Sequence, residues 1–217
     1  MRGDGSRVIL VPGFLTGDWS LGVLRRWLRR IGYVPERSGI SFNVDCPDRA
    51  VRRLESRVER AAHHAGARVA LVGHSRGGHF AKALAHRRPE LVSSVVSLGA
   101  GLNALYDVSV PMQRTSRLVA AVHARTTDRR QRRGCMSMAC RCEFNRDYWG
   151  EFPPHVALTS IYSKSDGVVW WESCVVPYAR CVEVPGSHVG LAVNRHAYRA
   201  VAEALAGERP SLGPGLS

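Results

Sequence analysis

A doubly wound α/β fold, with a mostly parallel sheet of about six strands and helices on both faces, is predicted by three features of the 217-residue sequence. Short apolar runs alternate with amphipathic helical stretches from the N-terminus onward, and parallel strands require connections of that length. Glycines or prolines mark the ends of the helical patterns. One strand-to-helix junction, Gly73-His74-Ser75-Arg76-Gly77, is glycine-flanked with a serine at its centre.

The elements follow in order. Val8 to Val11 reads as a buried strand, broken by Pro12-Gly13, and Leu21, Leu24, Leu28 and Ile31 recur at helical spacing before Gly32. A weaker extended segment spans Tyr33 to Phe42. A second helix carries Val51, Leu54, Val58 and Ala62 and stops at Gly66; Val69 to Val72 is the strand that enters the glycine-flanked turn. Phe80, Ala81, Leu84 and Ala85 form the next helix face, closed by Arg88-Pro89, and Val95 to Leu98 the next strand. Strands return at Val156 to Tyr162 and Cys181 to Val184, and a last helix runs from Arg195 to Ala206. Between the strands at Val95 to Leu98 and Val156 to Tyr162, residues 99–154 hold no clean strand, only a short helical pattern around Leu118, Val119 and Val122, an arginine cluster, three cysteines and a Tyr148-Trp149 pair. We expect a single domain over 1–217, with 99–154 as a lid or cap insertion and 207–217 as a fraying, Gly/Pro/Ser-rich tail.

The formal net charge is +13, and of 31 basic residues only Lys82 and Lys164 are lysine. The arginines fall mostly on the polar sides of helical patterns, as in Arg25, Arg26, Arg29 and Arg30 or Arg52, Arg53, Arg57 and Arg60, which reads as solvated helix surface, so no nucleic-acid partner is expected. Only the run from Arg125 to Arg133 is dense enough to line a path for an anion. Six cysteines, Cys46, Cys135, Cys140, Cys142, Cys174 and Cys181, lack zinc-site spacing, and no metal or other cofactor is called for. No apolar run approaches the roughly 20 residues of a membrane span, and the first apolar run is too short for a signal peptide. A cytoplasmic location is the default, with export by another route left open, as is the oxidation state of the cysteines.

In a G-x-S-x-G turn between strand and helix the serine is held in a strained conformation with its hydroxyl above the sheet edge, which makes Ser75 a candidate nucleophile. A serine needs an imidazole to take its proton and an acid to orient that imidazole. Of nine histidines, His74 is expected beside or beneath the turn, His79 to pack one helical turn on, and His63, His64 and His86 on helix surfaces. His188 differs, because it lies in Gly186-Ser187-His188 between the last strand and the last helix, at the sheet end where such folds place reacting groups. Asp166, in Ser165-Asp166-Gly167 one strand earlier, is the matching acid; Asp147 and Asp128 are the runners-up.

Serine, aspartate and histidine in that order, together with Val11-Pro12-Gly13-Phe14-Leu15, Gly73 to Gly78 and Ser165 to Val169, make the chain resemble the α/β-hydrolase superfamily, in its compact bacterial serine esterase and lipase-like branch, over most of residues 7–206. The resemblance implies hydrolysis of a small-molecule or lipid carboxylic ester through an acyl-enzyme on Ser75, with His188 as base and acid and Asp166 as its orienter. It also implies an oxyanion hole from the backbone N–H groups of Phe14 and Arg76, with Leu15 as the alternative to Phe14. Leu15 and Trp170, with Phe14 and Trp171, are candidates for an apolar substrate pocket. Pro12-Gly13 stands where many relatives have His-Gly, and the early antiparallel strands of larger members are missing. Acyl transfer with the same three residues, or a non-catalytic binding protein on the same fold, are the alternatives.

Overall fold

A computed structural model describes residues 3–105, 107–126 and 142–207. Six strands, β1 (Arg7–Val11), β2 (Val34–Arg37), β3 (Val69–His74), β4 (Val92–Leu98), β5 (Ala157–Tyr162) and β6 (Arg180–Glu183), form one sheet in the order β2-β1-β3-β4-β5-β6. Every neighbouring pair is parallel.

Period-two alternation in the central strands sorts their side chains to two faces. Val8 and Leu10 of β1, Ala70 and Val72 of β3 and Val96 and Leu98 of β4 pack beneath α1 (Gly22–Arg30) and α6 (Arg195–Gly207). Ile9, Val11, Leu71 and Val95 face the other way, onto α2 (Pro47–Ala65) and α3 (Arg76–Arg87). The helix registers follow from i, i+3 and i, i+4 spacing: Leu24 and Leu28 bury one side of α1, while Val51, Leu54, Val58 and Ala62 bury one side of α2. Gly66 then ends α2 in the left-handed region at φ 61°, its N–H returning to the last turn.

Among the described residues between β4 and β5, two helices stand where the sequence suggests one short helical pattern. Helix α4 (Val110–Thr126) extends the short pattern around Leu118, and α5 (Glu143–Trp149) was not foreseen as a helix. Seven residues are too few for periodicity to register. Tertiary contacts hold α5 instead: Phe144 and Tyr148, one turn apart, are buried among Phe80, Leu84 and their neighbours. Val108 makes an isolated antiparallel bridge to Val169, tying this segment to the loop after β5. Arg129 to Arg133, Asp128, Cys135, Cys140 and the tail beyond Gly207 lie outside the described residues. No helix among the described residues is long and apolar enough to cross a membrane.

Charged side chains clamp α5 and α2 to α3. Arg87 donates to Asp147 at 2.5 Å and to Asp48 at 3.0 Å, with Asp147 only 3% exposed and Arg87 12%. Asp147 is therefore a structural ion-pair partner. Arg52, by contrast, is 57% exposed where it meets Asp48 and Glu143, as expected for a solvated helix face.

Burial decides which of these pairs matters. Arg87→Ala leaves the buried Asp147 carboxylate to the exposed Arg146 guanidinium at 3.3 Å and should lower unfolding stability by about 3 kcal/mol, whereas Arg52→Ala should change it by less than about 1 kcal/mol. Urea denaturation of both variants checks the ranking; equal losses would mean that Asp147 finds compensation elsewhere.

Candidate active site

The chain leaves β1 toward β2 at one edge and leaves β3 toward β4 at the other, so the loops after β1 and β3 diverge above the pair Val11 and Gly73. A crevice opens at such a reversal, at the C-terminal ends of the strands. The loop after β1 and the turn after β3 form its walls.

The turn is tight for a steric reason. A Cβ on Gly77 would overlap the Val11 carbonyl of β1, and one on Gly73 would overlap the carbonyl of Gly77. Strand and helix therefore cross backbone against backbone, and the residue between them takes up the bend. Ser75 sits at φ 53°, ψ −125°, a region that costs a non-glycine residue roughly 1–3 kcal/mol. Its N–H donates to Leu98 O at 2.8 Å and its carbonyl accepts from Gly78 at 2.8 Å, which fix the conformation from both sides. Ser75 occupies the N-cap position of α3, yet its hydroxyl makes no capping bond.

Asp166 and His188 emerge from the loops after β5 and β6. Asp166 Oδ1 accepts the backbone N–H groups of Val168 and Val169, both at 2.9 Å, which aims Oδ2 at His188 Nδ1, 2.7 Å away. The side chains are 4% and 8% exposed. Gly99, at the end of β4, makes room for this pair: a Cβ there would stand 3.0 Å from Asp166 Oδ2 and 2.9 Å from Leu191 Cδ1, and the backbone is at φ 58°.

Ser75 and His188 line a cavity of about 330 Å³ whose remaining walls are mainly apolar, including Phe14, Phe80, Leu105, Phe144 and Val169. Helix α4 contributes Met112 and Ser116, and Trp19, Val189 and Val193 form an exposed apolar rim. Leu15 and Trp170 are not among the lining residues. Leu15 is turned by its left-handed backbone at φ 59°, and Trp170 is 57% exposed, its carbonyl accepting the Ser173 hydroxyl. Trp171 stacks on Tyr162 instead.

Two histidines beside the pair are buried and neutral. His74 lies beside the turn and donates from Nε2 to the His188 carbonyl at 2.9 Å, bracing the loop that carries His188. Burial, aided by the neighbouring His188, pushes its pKa down to about 4. His79 lines the cavity edge-on to Tyr148, and burial followed by the charges of Arg76 and Lys82 lowers its pKa to about 3. His63 and His64 are exposed on α2, as expected.

Two roles were invisible in the sequence. Asn43, 1% exposed, donates from Nδ2 to Pro12 O at 2.8 Å, and the Arg76 guanidinium donates to Asn43 Oδ1 at 2.9 Å. The sequence points only to the Arg76 backbone N–H. No group of three or more His, Cys, Asp or Glu side chains among the described residues is arranged to hold a metal ion.

The parallel six-stranded sheet with these loops at its C-terminal edge defines an α/β-hydrolase. Residues 51–189 match the family Esterase, described as "Putative esterase", and the chain belongs to that family, a family of carboxylic-ester hydrolases. Among solved structures, a monoacylglycerol lipase of Paleococcus ferrophilus is similar at 16% identity and a TM-score of 0.64, with 96% of each chain covered. The mature lipase of Bacillus licheniformis is similar at 11% identity and a TM-score of 0.67, with 94% of each chain covered. An extracellular α/β-hydrolase of a Paenibacillus species is similar at 13% identity and a TM-score of 0.61, covering 95% of this chain and 100% of its own. At these identities the likeness is one of fold. No curated protein matches the chain.

Because His74 and His79 are depressed below their ordinary value of 6.5 in the folded protein, the unfolded chain takes up protons first as pH falls. Their contribution to stability is present above pH 6.5 and is lost as pH drops toward 4 and 3, at up to about 1.4 kcal/mol per pH unit for each. His79→Leu should flatten the fall in urea midpoint between pH 6.5 and 4. An unchanged slope would show that His79 does not resist protonation.

Proposed function

We propose that the protein cleaves carboxylic esters through an acyl-enzyme on Ser75. The bond between Asp166 Oδ2 and His188 Nδ1, at 2.7 Å and shielded from water, is the observation that carries the reading. It fixes the proton on Nδ1 and leaves Nε2 as the basic nitrogen of a residue that lines the same cavity as Ser75.

In the proposed sequence Ser75 Oγ attacks the ester carbonyl while His188 Nε2 takes the hydroxyl proton. The imidazolium, stabilised by the Asp166 carboxylate, then returns that proton to the departing alkoxide, and the alcohol leaves. Water enters, loses a proton to His188 and attacks the acyl carbonyl; collapse of the second tetrahedral intermediate re-forms the Ser75 hydroxyl and releases the acid. The negative oxygen of both intermediates would accept from the Arg76 and Phe14 N–H groups, because the Leu15 N–H is already donated to Asn43 O at 3.2 Å. The first of these lies at the positive end of the α3 dipole.

The apolar cavity favours an acyl chain over a charged one, since a buried charge without a partner is costly. This supports an uncharged small-molecule or lipid ester as the substrate class. Acyl transfer shares the intermediate and differs only in the acceptor.

Turnover of p-nitrophenyl esters of increasing chain length should be measurable for the wild type. Ser75→Ala and His188→Ala should each lower kcat/KM by about 10⁴-fold or more, and Asp166→Asn by about 10⁴-fold. Added alcohol separates the acceptors: acid remains the main product for a hydrolase, ester for a transferase. Retention of most activity by Ser75→Ala would overturn the proposal.

A further inference from the structure

The donor proposed at Phe14 lies in a loop without regular secondary structure. Residues 12–16 make only short-range bonds of their own: the Thr16 N–H and hydroxyl both donate to Gly13 O, at 3.3 and 2.9 Å. Among the described residues, Asn43 holds the loop through its side chain and its backbone. Asn43 accepts from Leu15 N at 3.2 Å, donates its own N–H to Thr16 O at 2.7 Å and donates Nδ2 to Pro12 O at 2.8 Å. It therefore grips the loop on both sides of Phe14.

Asn43 is in turn gripped by Arg76. One guanidinium nitrogen, Nη1, donates to Asn43 Oδ1 at 2.9 Å and to Asn43 O at 3.2 Å, and the other, Nη2, donates to Asp45 O at 2.8 Å. The guanidinium carbon lies 5.6 Å from the Phe14 ring centroid and 5.0 Å from that of Phe80, so the plane is set by aromatic contact as well as by hydrogen bonds. The residue whose backbone offers one oxyanion donor thus uses its side chain to locate the segment that offers the other.

We propose that the Arg76 side chain, acting through Asn43, is the positioning device that sets the spacing of the two oxyanion donors. The proposal rests on the acyl-enzyme reading above. Its consequence is specific, because oxyanion donors must lie about 2.7–3.1 Å from the charge that develops, while Asn43 lies outside the lining of the cavity that binds the acyl chain and Arg76 is one of many residues that line it. Loosening the clamp should slow the chemical step and leave ground-state binding alone. A lysine cannot reproduce it, since a single ammonium does not present the planar fork that reaches Oδ1, the Asn43 carbonyl and the Asp45 carbonyl together.

The test compares Asn43→Ala, Arg76→Lys and Arg76→Ala with the wild-type protein. On a p-nitrophenyl ester, kcat should fall about 10- to 100-fold while KM stays within about threefold, as expected when a donor is misplaced by a fraction of an ångström. Arg76→Lys should lose less than Arg76→Ala. An alkyl boronic acid, whose tetrahedral adduct on Ser75 puts an oxygen in the oxyanion position, should weaken in step with kcat/KM. The alkyl alcohol of the same chain length, which fills only the cavity, should inhibit Asn43→Ala, whose replaced side chain lies outside the cavity lining, as strongly as the wild type, and Arg76→Lys within about threefold of it.

A merely structural role would lower thermal stability without this split. Wild-type kcat in the variants, or equal weakening of boronate and alcohol, overturns the proposal. Should Asn43→Ala fail to fold, Arg76→Lys, which keeps the positive charge, carries the same comparison. A wild-type protein that neither turns over esters nor binds the boronate would overturn the acyl-enzyme reading, and this proposal with it; an active wild type with unaffected variants overturns this proposal alone.

Discussion

The first turn of α3 crosses the end of β1 with nothing but backbone between them, and most of the site's geometry follows from that contact. With Gly77 pressed on the Val11 carbonyl and Gly73 on the start of the helix, the chain has no gentle path from strand to helix. Ser75 absorbs the bend at positive φ, its hydroxyl uncommitted to capping, and the helix N-terminus arrives beside the loop that leaves β1. Strain of about 1–3 kcal/mol is tolerable because the buried strands on either side over-determine the turn.

Polar groups elsewhere in the site are held just as firmly, but by hydrogen bonds. Asp166 spends one oxygen on two backbone N–H groups and so can aim the other in only one direction. His74, kept neutral by burial, serves as a strut under the His188 loop. The apolar cavity contributes a low-dielectric setting in which these few dipoles count for more than they would in water. Preorganisation here means that Asp166, His188, Asn43 and the Arg76 guanidinium each hold partners that restrict them.

Sequence patterns revealed whatever is repeated or local. Apolar runs at β1, β3 and β4, three- and four-residue spacing in α1 and α2, and glycines around Ser75 are each set by neighbours in the chain, so the sheet and the placement of Ser75, Asp166 and His188 in loops at its C-terminal edge were legible. Features that depend on contacts distant in sequence were not. Helix α5 exists because Phe144, Asp147 and Tyr148 meet α3, some 60 residues earlier in the case of the pair Arg87 and Asp147. Asn43 looks like any loop asparagine until the fold brings Pro12 and Arg76 to it from 31 and 33 residues away. Trp170 is a pocket candidate from the sequence, yet the cavity draws walls from α4, α5 and the turn around Trp19, whose side chains carry no pattern that marks a pocket.

The most direct measurement is the mass of the protein during turnover of a slowly deacylated ester, followed by peptide mapping. An acyl-enzyme mechanism predicts a mass increase equal to the acyl group, carried on the peptide that contains Ser75 and decaying at the rate of acid release. Steady turnover with no adduct on Ser75, or acylation confined to a cysteine, would contradict it.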